Sequence, residues 1–349
     1  MVKHTPNQDS DKVKSLDEYK ASQPEQLELF SLFGEENKKY NNTIELYDFM
    51  PKYFWGNVKR INGQFLPSLK RDFECRGIKY KLKLSPAKIE DKDGVERDYY
   101  PGQREEIVEF ALRKLATEGR GIFLDDAAST TFTLYEVQKA LQLMKHGYKI
   151  SDIREALLVC VGTKIEVTSE DGKTVVISHI FETLGLQTRE DWKGAGQKTK
   201  CFVRFNPLVT KSIKDKSFRR FNYEKNFELV SIVARQLHKR MSHHFLQASL
   251  SRTYEIRLTT MLRDSGIARQ RSLSDNIRDL EFGLKELQTK EIISTYDIKK
   301  ILDAKRRNKL EDAIIIIYAH PKFIADIIQH NEHRKKILGN FPPIPSRQS

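Results

Sequence analysis

Apolar residues recur at helical spacing through the C-terminal third of the chain. Phe227, Val230, Val233, Ala234, Leu237 and Met241 fall on one helix face, and the other carries Arg235, Lys239 and Arg240. Tyr254 to Leu258 alternates as a short strand does. A short helix is predicted over Thr260 to Asp264, running into a Ser265-Gly266 turn. A longer helix opens near Ser272–Ser274, with Leu273, Ile277, Leu280, Leu284 and Leu287 as its inner stripe. Ile292–Ile298 and Ala313–Tyr318 are β-rich runs, and the segment between them holds Lys305, Arg306, Arg307 and Lys309.

The same order recurs earlier. Pro101-Gly102 punctuates the chain, and a helix runs from Gln103 to Thr117, with Ile107, Val108, Ala111, Leu112 and Leu115 inward and Gly119 and Gly121 as its stop. After a loop, two helices are predicted, over Leu134–Lys145 and Ser151–Val161, the second with Ser151 as N-cap. Lys164–Thr168 and Thr174–Ile180 then bracket a Ser-Glu-Asp-Gly-Lys turn. Helix, helix, helix, hairpin is the order of a winged helix-turn-helix. The pattern predicts an α+β chain with two tandem winged-helix domains.

Around this frame, residues 1–40 read as a disordered arm, being polar and poor in apolar groups up to residue 25. Residues 41–213 form the first winged-helix domain with preceding strands. The aromatic run 43–55 must pack on something, residues 64–89 hold two strands, and Asp91-Lys-Asp-Gly94 turns the chain toward Val95–Tyr100. Cys201–Phe205 is a strand, and Pro207 opens a helix to Ile213. The basic stretch 214–226 (Lys214, Lys216, Arg219, Arg220, Lys225) links the units. Residues 214–335 form the second domain, ending in a short helix over Lys322–His330, and 336–349 are a tail.

Composition sharpens the picture. The chain has 349 residues, 31% of them charged, and a formal net charge of +13, a balance that suits a polyanionic partner. Three cysteines far apart in sequence, without a Cys-x-x-Cys, read as small buried hydrophobes in a reducing cytoplasm. No run approaches the about 18–20 apolar residues that span a bilayer, so no membrane partner is expected.

The search for chemistry returns little. Gly194-Ala-Gly196-Gln-Lys198-Thr199 lacks the Gly-Lys step of a phosphate-binding loop and precedes a strand. His243-His244 are adjacent, and His330 and His333 have no third ligand nearby, so surface or capping roles are expected and no metal site. No His-x-His accompanies Tyr296, which reads as a strand residue at the base of the wing rather than a nickase nucleophile. Asp125-Asp126 reads as a loop. No catalytic constellation and no cofactor is expected.

The second helix of a helix-turn-helix offers its first turns to base edges in the major groove. Amphipathic helices and a polar hairpin occur in any α+β protein, but here Arg269, Arg271 and Arg278 flank or occupy the recognition helix and Lys305, Arg306, Arg307 and Lys309 sit together in the wing. The candidates for duplex DNA are Arg269, Arg271, Ser272, Ser274, Asp275 and Arg278 at the start of the second unit's recognition helix, with Arg278 set to read a guanine. Lys305, Arg306, Arg307 and Lys309 in the wing suit phosphates. Lys149, Ser151, Asp152 and Arg154 are the counterparts in the first unit.

Gln26-Leu27-Glu28-Leu29-Phe30 resembles the Gln-Leu-[Ser/Asp]-Leu-Phe peptide by which bacterial proteins dock on the replicative sliding clamp, with Glu28 in place of the commonest third residue. The alternative is that Leu27, Leu29, Phe30, Leu32 and Phe33 tack the arm onto the core.

Taken together, residues 100–320 resemble bacterial plasmid replication initiators of the tandem winged-helix, iteron-binding type. The resemblance is carried by Cys201-Phe-Val-Arg-Phe-Asn-Pro207, by Ser231-Ile-Val-Ala-Arg-Gln-Leu-His-Lys-Arg240, and by Leu273–Leu287 with Ile292–Ile298 after it. It implies binding to direct repeats at an origin, opening of adjacent DNA, and recruitment of host replication proteins such as the sliding clamp and a helicase or host initiator. It also implies a homodimer in some states and a bacterial cytoplasmic location. A transcriptional regulator on the same fold, or an origin nickase or primase, are the rival readings.

Overall fold

The computed structural model describes residues 40–56, 66–75, 77–90, 94–172, 175–186, 201–214, 218–270, 272–303 and 309–339. The arm, the clamp-like peptide at 26–30 and the wing residues Lys305, Arg306 and Arg307 lie outside them, as do Arg271 and the Gly/Lys-rich segment around Gly194. The described residues bury two hydrophobic cores, one drawn from residues between Tyr47 and Phe227, the other from residues between Leu229 and Ile327.

The first unit begins with β1 (Tyr40–Ile44), α1 (Glu45–Phe49), β2 (Leu69–Cys75), β3 (Ile78–Ser85), β4 (Ala87–Glu90) and β5 (Glu96–Tyr99). The aromatic run packs inward, as expected: Tyr47, Phe49, Met50 and Tyr53 are all buried. Helix α2 (Gln103–Leu115) starts where the Gly102 N–H donates to Glu105 Oε2 at 2.7 Å. It ends in a π turn over Ala116–Arg120, where Gly119 adopts φ +91°. The chain then forms not a loop but a hairpin, β6 (Gly121–Leu124) and β7 (Ala127–Phe132). Asp125 and Asp126 form its two-residue turn with φ of +46° and +66°, the conformation a tight hairpin demands at both central positions. Their carboxylates pair with Arg204 and Lys214.

Helix α3 (Leu134–Leu143) opens with a reciprocal cap in which Thr133 Oγ1 accepts from the Glu136 N–H at 3.1 Å and Glu136 accepts from the Thr133 N–H at 2.8 Å. Helix α4 (Ile150–Gly162) starts earlier than expected. Its N-cap is Lys149, not Ser151, because the Asp152 carboxylate accepts the Lys149 N–H at 3.0 Å. The hairpin β8 (Lys164–Ser169) and β9 (Val175–His179) is the first wing, turned by Gly172 at φ +67°. Strands β3 and β2 widen it into one antiparallel sheet of order β2-β3-β8-β9. The chain then runs through β10 (Phe181–Gly185), β11 (Cys201–Phe205) and α5 (Pro207–Lys214), with β10 and β11 completing the sheet of β7 and β6. Asn206 is fully buried at the strand-helix step. Its Oδ1 accepts from the Leu208 N–H, and its Nδ2 donates to the His179 carbonyl at 2.7 Å.

The basic stretch expected to link the units belongs instead to the first. Within it, β12 (Phe218–Asn222) pairs with β1, and α6 (Tyr223–Phe227) delivers Tyr223 and Phe227, with Phe221, into the first core. The cores therefore divide near residue 228, not at 213, because Phe221, Tyr223 and Phe227 are buried in the first core.

In the second unit, α7 (Ile232–His244) is capped by the Ser231 hydroxyl, which accepts from the Ala234 N–H at 3.3 Å. Val230, expected on its inner face, precedes the helix and is exposed. Then come β13 (Thr253–Arg257), α8 (Leu258–Ser265) ended by Gly266 at φ +69°, α9 (Leu273–Thr289), the wing strands β14 (Ile293–Asp303) and β15 (Lys309–Ala319), and α10 (Pro321–Gly339). The last helix is longer than the Lys322–His330 read from the sequence. The inner stripe of α9 is buried as expected: Leu280, Leu284 and Leu287 are fully buried, and Leu273 and Ile277 nearly so. Helix, strand, helix, helix, hairpin is thus common to both units, the β6–β7 hairpin standing where β13 stands. The chain is α+β with two winged-helix units in tandem.

Candidate nucleic-acid interface

The leading turn of α9 is built by local hydrogen bonds. Ser272 is the N-cap, its hydroxyl accepting the Ser274 N–H at 3.1 Å. Asn276, 2% exposed, accepts from the Gln270 N–H at 2.9 Å and donates to the Ala268 carbonyl at 3.3 Å. One side chain thereby fixes the turn that carries Arg269, which is exposed. The sequence reading missed Asn276, although a polar residue between the buried Leu273 and Ile277 is a legible signal.

With its apolar stripe turned inward, α9 presents Ser274, Arg278, Phe282 and Lys285 to solvent, residues about one turn apart on a single face. The Arg278 side chain is 77% exposed, and its Nη2 lies 3.2 Å from Asp275 Oδ1. Asp275, in the first turn, suits the positive end of the helix and holds the guanidinium beside that end. Phe282, a further residue missed, is 62% exposed on the same face.

The wing lies alongside. Tyr296 in β14 neighbours Glu281 of α9; partial burial and that carboxylate raise its phenol above the ordinary value. Both strands of the hairpin, β14 and β15, pack against α9, and Lys309 at the start of β15 is exposed. The hairpin is anchored by Asp312, whose carboxylate accepts from the Thr259 N–H at 3.1 Å and the Thr259 hydroxyl at 2.7 Å at the start of α8.

In the first unit, Lys149, Ser151 and Arg154 are exposed at the start of α4, while the Asp152 carboxylate is occupied by capping. The basic face of α7 points elsewhere. Arg235 and Lys239 are buried against the first unit, and Lys239 Nζ lies 5.6 Å from the Phe110 ring centroid. Arg240 donates to Asp264 at 2.8 Å and to the Tyr254 hydroxyl at 3.0 Å. Asp264 also accepts from the Glu74 N–H of β2 at 3.3 Å, and Trp55 Nε1 donates to the Ser265 carbonyl at 2.9 Å. The sheet of the first wing is thus joined to the first helix of the second helix-turn-helix. His243, expected at the surface, is buried with its ring 4.9 Å from Phe49.

Beneath this junction lies a buried charge cluster. Arg113 forks onto Asp48 at 2.6 and 3.2 Å, and Lys52 lies 3.5 Å from Glu109. Burial works to raise the Asp48 pKa, but Arg113, Lys239 and Lys52 outweigh it and hold the carboxyl well below its usual range. Burial pushes Lys52 down to about 8, against the pull of Glu109 and Asp48. The three cysteines are buried. Among the described residues, no group of three or more His, Cys, Asp or Glu could hold a metal ion, and no helix is long and apolar enough to cross a membrane.

No family model and no curated protein matches the chain. Solved structures do. A crystal structure of domains 2 and 3 of RctB shares 13% identity, covering 74% of this chain and 93% of that one, with a TM-score of 0.44. Another of RctB domains 2–3 shares 11%, covering 77% and 96%, with a TM-score of 0.44. The Pi initiator protein in complex with iteron DNA shares 10%, covering 68% and 98%, with a TM-score of 0.41. At such scores the assignment of the interface stands on this chain's own geometry.

Proposed function

We propose that this chain is a replication initiator of the plasmid type, a non-catalytic protein of the bacterial cytoplasm that binds short direct repeats at an origin in double-stranded DNA. The observation that carries the reading is the leading face of α9, a capped helix start presenting Ser274, Arg278 and Phe282, with the β14–β15 hairpin packed against the same helix. Arg278 would take the O6 and N7 of a guanine. Phe282 lies one turn further on, about 6 Å along the axis, in reach of a thymine methyl about two base pairs away. Lys305, Arg306, Arg307 and Lys309 would neutralise phosphates. Lys149, Ser151 and Arg154 would serve the first unit, and the Asp264 junction would fix the spacing between the two helices.

The reading is tested by selecting duplexes from a random pool with the full chain and footprinting the recovered sequence on DNA carrying it in tandem. Enrichment of one short site protected at regular intervals supports it, and recovery of unrelated sequences with equal affinity overturns it. The Gln26–Phe30 peptide would dock on the sliding clamp while the DNA units hold the origin. Capture of purified clamp by the wild-type chain but not by Leu29→Ala/Phe30→Ala supports recruitment, and equal capture refutes it. A transcriptional regulator on this fold has no use for that peptide, so the same experiment separates the two readings. Opening of adjacent DNA, contact with a host helicase or initiator, and homodimer formation belong to the same proposal.

A further inference from the structure

Between the two units lies a cleft of about 1220 Å³, bordered by the end of α2, by α3 and the segment after it, and by residues 227–230. Lys290, just past the last turn of α9, lines it, so it opens at the end of α9 opposite the leading turn. The carboxylates around it are matched. Glu118 pairs with Lys114 at 3.7 Å, Glu228 with Lys290 at 3.0 Å, and Glu136 with Arg120.

The remaining cations are not matched. The side chains of Lys139 and Lys145 make no hydrogen bond or ion pair among the described residues. Arg235 is only 2% exposed, yet its Nε and Nη2 find no acceptor. Beside it His146 also has an unpartnered buried Nε2, its ring stacked 6.0 Å from Tyr148 and edge-on to Phe227. Burial and then the Arg235 charge lower the His146 pKa, and the ring supplies no negative charge to the guanidinium. A desolvated guanidinium with idle N–H groups is unfavourable and calls for a counter-ion.

We propose that this cleft binds a phosphate-bearing small molecule of nucleotide size. Its phosphate sits on Arg235, its charge is drawn in by Lys139 and Lys145, and its apolar body rests on Phe227, Leu115 and Met144. The volume lies at the upper end of small-molecule sites, and an apolar wall with a few convergent polar groups is their usual make-up. The backbone of a duplex is too broad to bring a phosphate onto a side chain so deeply set.

The test is calorimetric titration and thermal melting of the full chain with inorganic phosphate, with adenosine and guanosine nucleotides, and with the parent nucleosides. Nucleotides are expected to bind and raise Tm, and nucleosides are not. Arg235→Gln should weaken binding about tenfold or more, as loss of charge-assisted hydrogen bonds does. Should Arg235→Gln fail to fold by circular dichroism, Lys139→Gln/Lys145→Gln, both at exposed positions, decides in its place through several-fold weaker binding. No binding at millimolar ligand, or affinity untouched by the folded variants, overturns the proposal. A site that answers to duplex DNA while free nucleotides stay inert overturns it equally.

Discussion

Replacing Arg278 by Ala separates base reading from general attraction, and the structure sets both halves of the expectation. The side chain is 77% exposed and its one ion-pair partner, Asp275, is itself 44% exposed. An exposed helical pair of this kind contributes about 0.2–0.5 kcal/mol, so the fold should be unchanged within about 0.5 kcal/mol. On DNA the loss is larger. A bidentate contact to guanine discriminates by about 1–3 kcal/mol, or roughly 5- to 150-fold in affinity. The loss should fall on one base pair, leaving the slope of affinity against salt nearly as it was. Lys309→Ala should do the reverse, weakening all sequences alike and reducing the salt slope by about 0.9. Fluorescence anisotropy on the selected duplex and its single-base variants, over a range of salt, measures both. If Arg278→Ala weakens every duplex equally and lowers the salt slope by about one, Arg278 lies on a phosphate and the docking of α9 by its leading turn is wrong.

Phe282→Ala should leave the melting temperature unchanged, since the ring is 62% exposed, but should abolish the cost of replacing one thymine by deoxyuridine, about 0.8 kcal/mol for a buried methyl; a cost that persists in the variant removes Phe282 from the interface. Gly283→Ala places a Cβ 3.0 Å from the Ala234 nitrogen and 3.1 Å from Val233 Cβ where α9 crosses α7. Overpacking costs about 1–3 kcal/mol and the gain in helix propensity is about 1, so urea unfolding should show a net loss of about 0–2 kcal/mol, and a stabilised variant would contradict the close approach. His238 is buried between Phe221 and Phe323, and burial, with Lys225, lowers its pKa to about 3. The unfolded chain takes up a proton there near pH 6.5 and the folded chain does not, so stability falls as pH drops from about 6.5 toward 3. Between pH 7 and 5 this one group should account for about 2 kcal/mol, and His238→Leu should flatten that part of the curve measured by urea unfolding. Protonation of Asp48 adds its own loss, in the same direction, below the usual carboxylate range.

The range of each interaction decides whether the sequence reveals it. The α9 stripe is decided within a turn or two, so periodicity found it, and Ser272, near which the helix was expected to open, is its N-cap. The β8–β9 turn is local in the same way. The Asp125-Asp126 hairpin was missed because its signal is conformational, two residues at positive φ, and Asp fills that role less obviously than Gly. The assignment of 214–226 to a linker failed for a different reason. A basic composition looked decisive, but Phe221, Tyr223 and Phe227 are placed by pairing with β1, about 180 residues away, which no local pattern reports. Distance in sequence also hid the fate of α7's cations. Arg235, Lys239 and Arg240 look like a solvated or DNA-facing stripe until α1, α2 and α8 pack over them, and the acids that receive Arg240 and neighbour Lys239 come from other elements, Asp264 and Asp48. Charge count therefore predicts a polyanion partner for the chain as a whole but not which cations meet it. On the proposed reading, those that would meet DNA are ones the packing leaves exposed, and that criterion keeps Arg278 and Lys309 while removing Arg235 and Lys239.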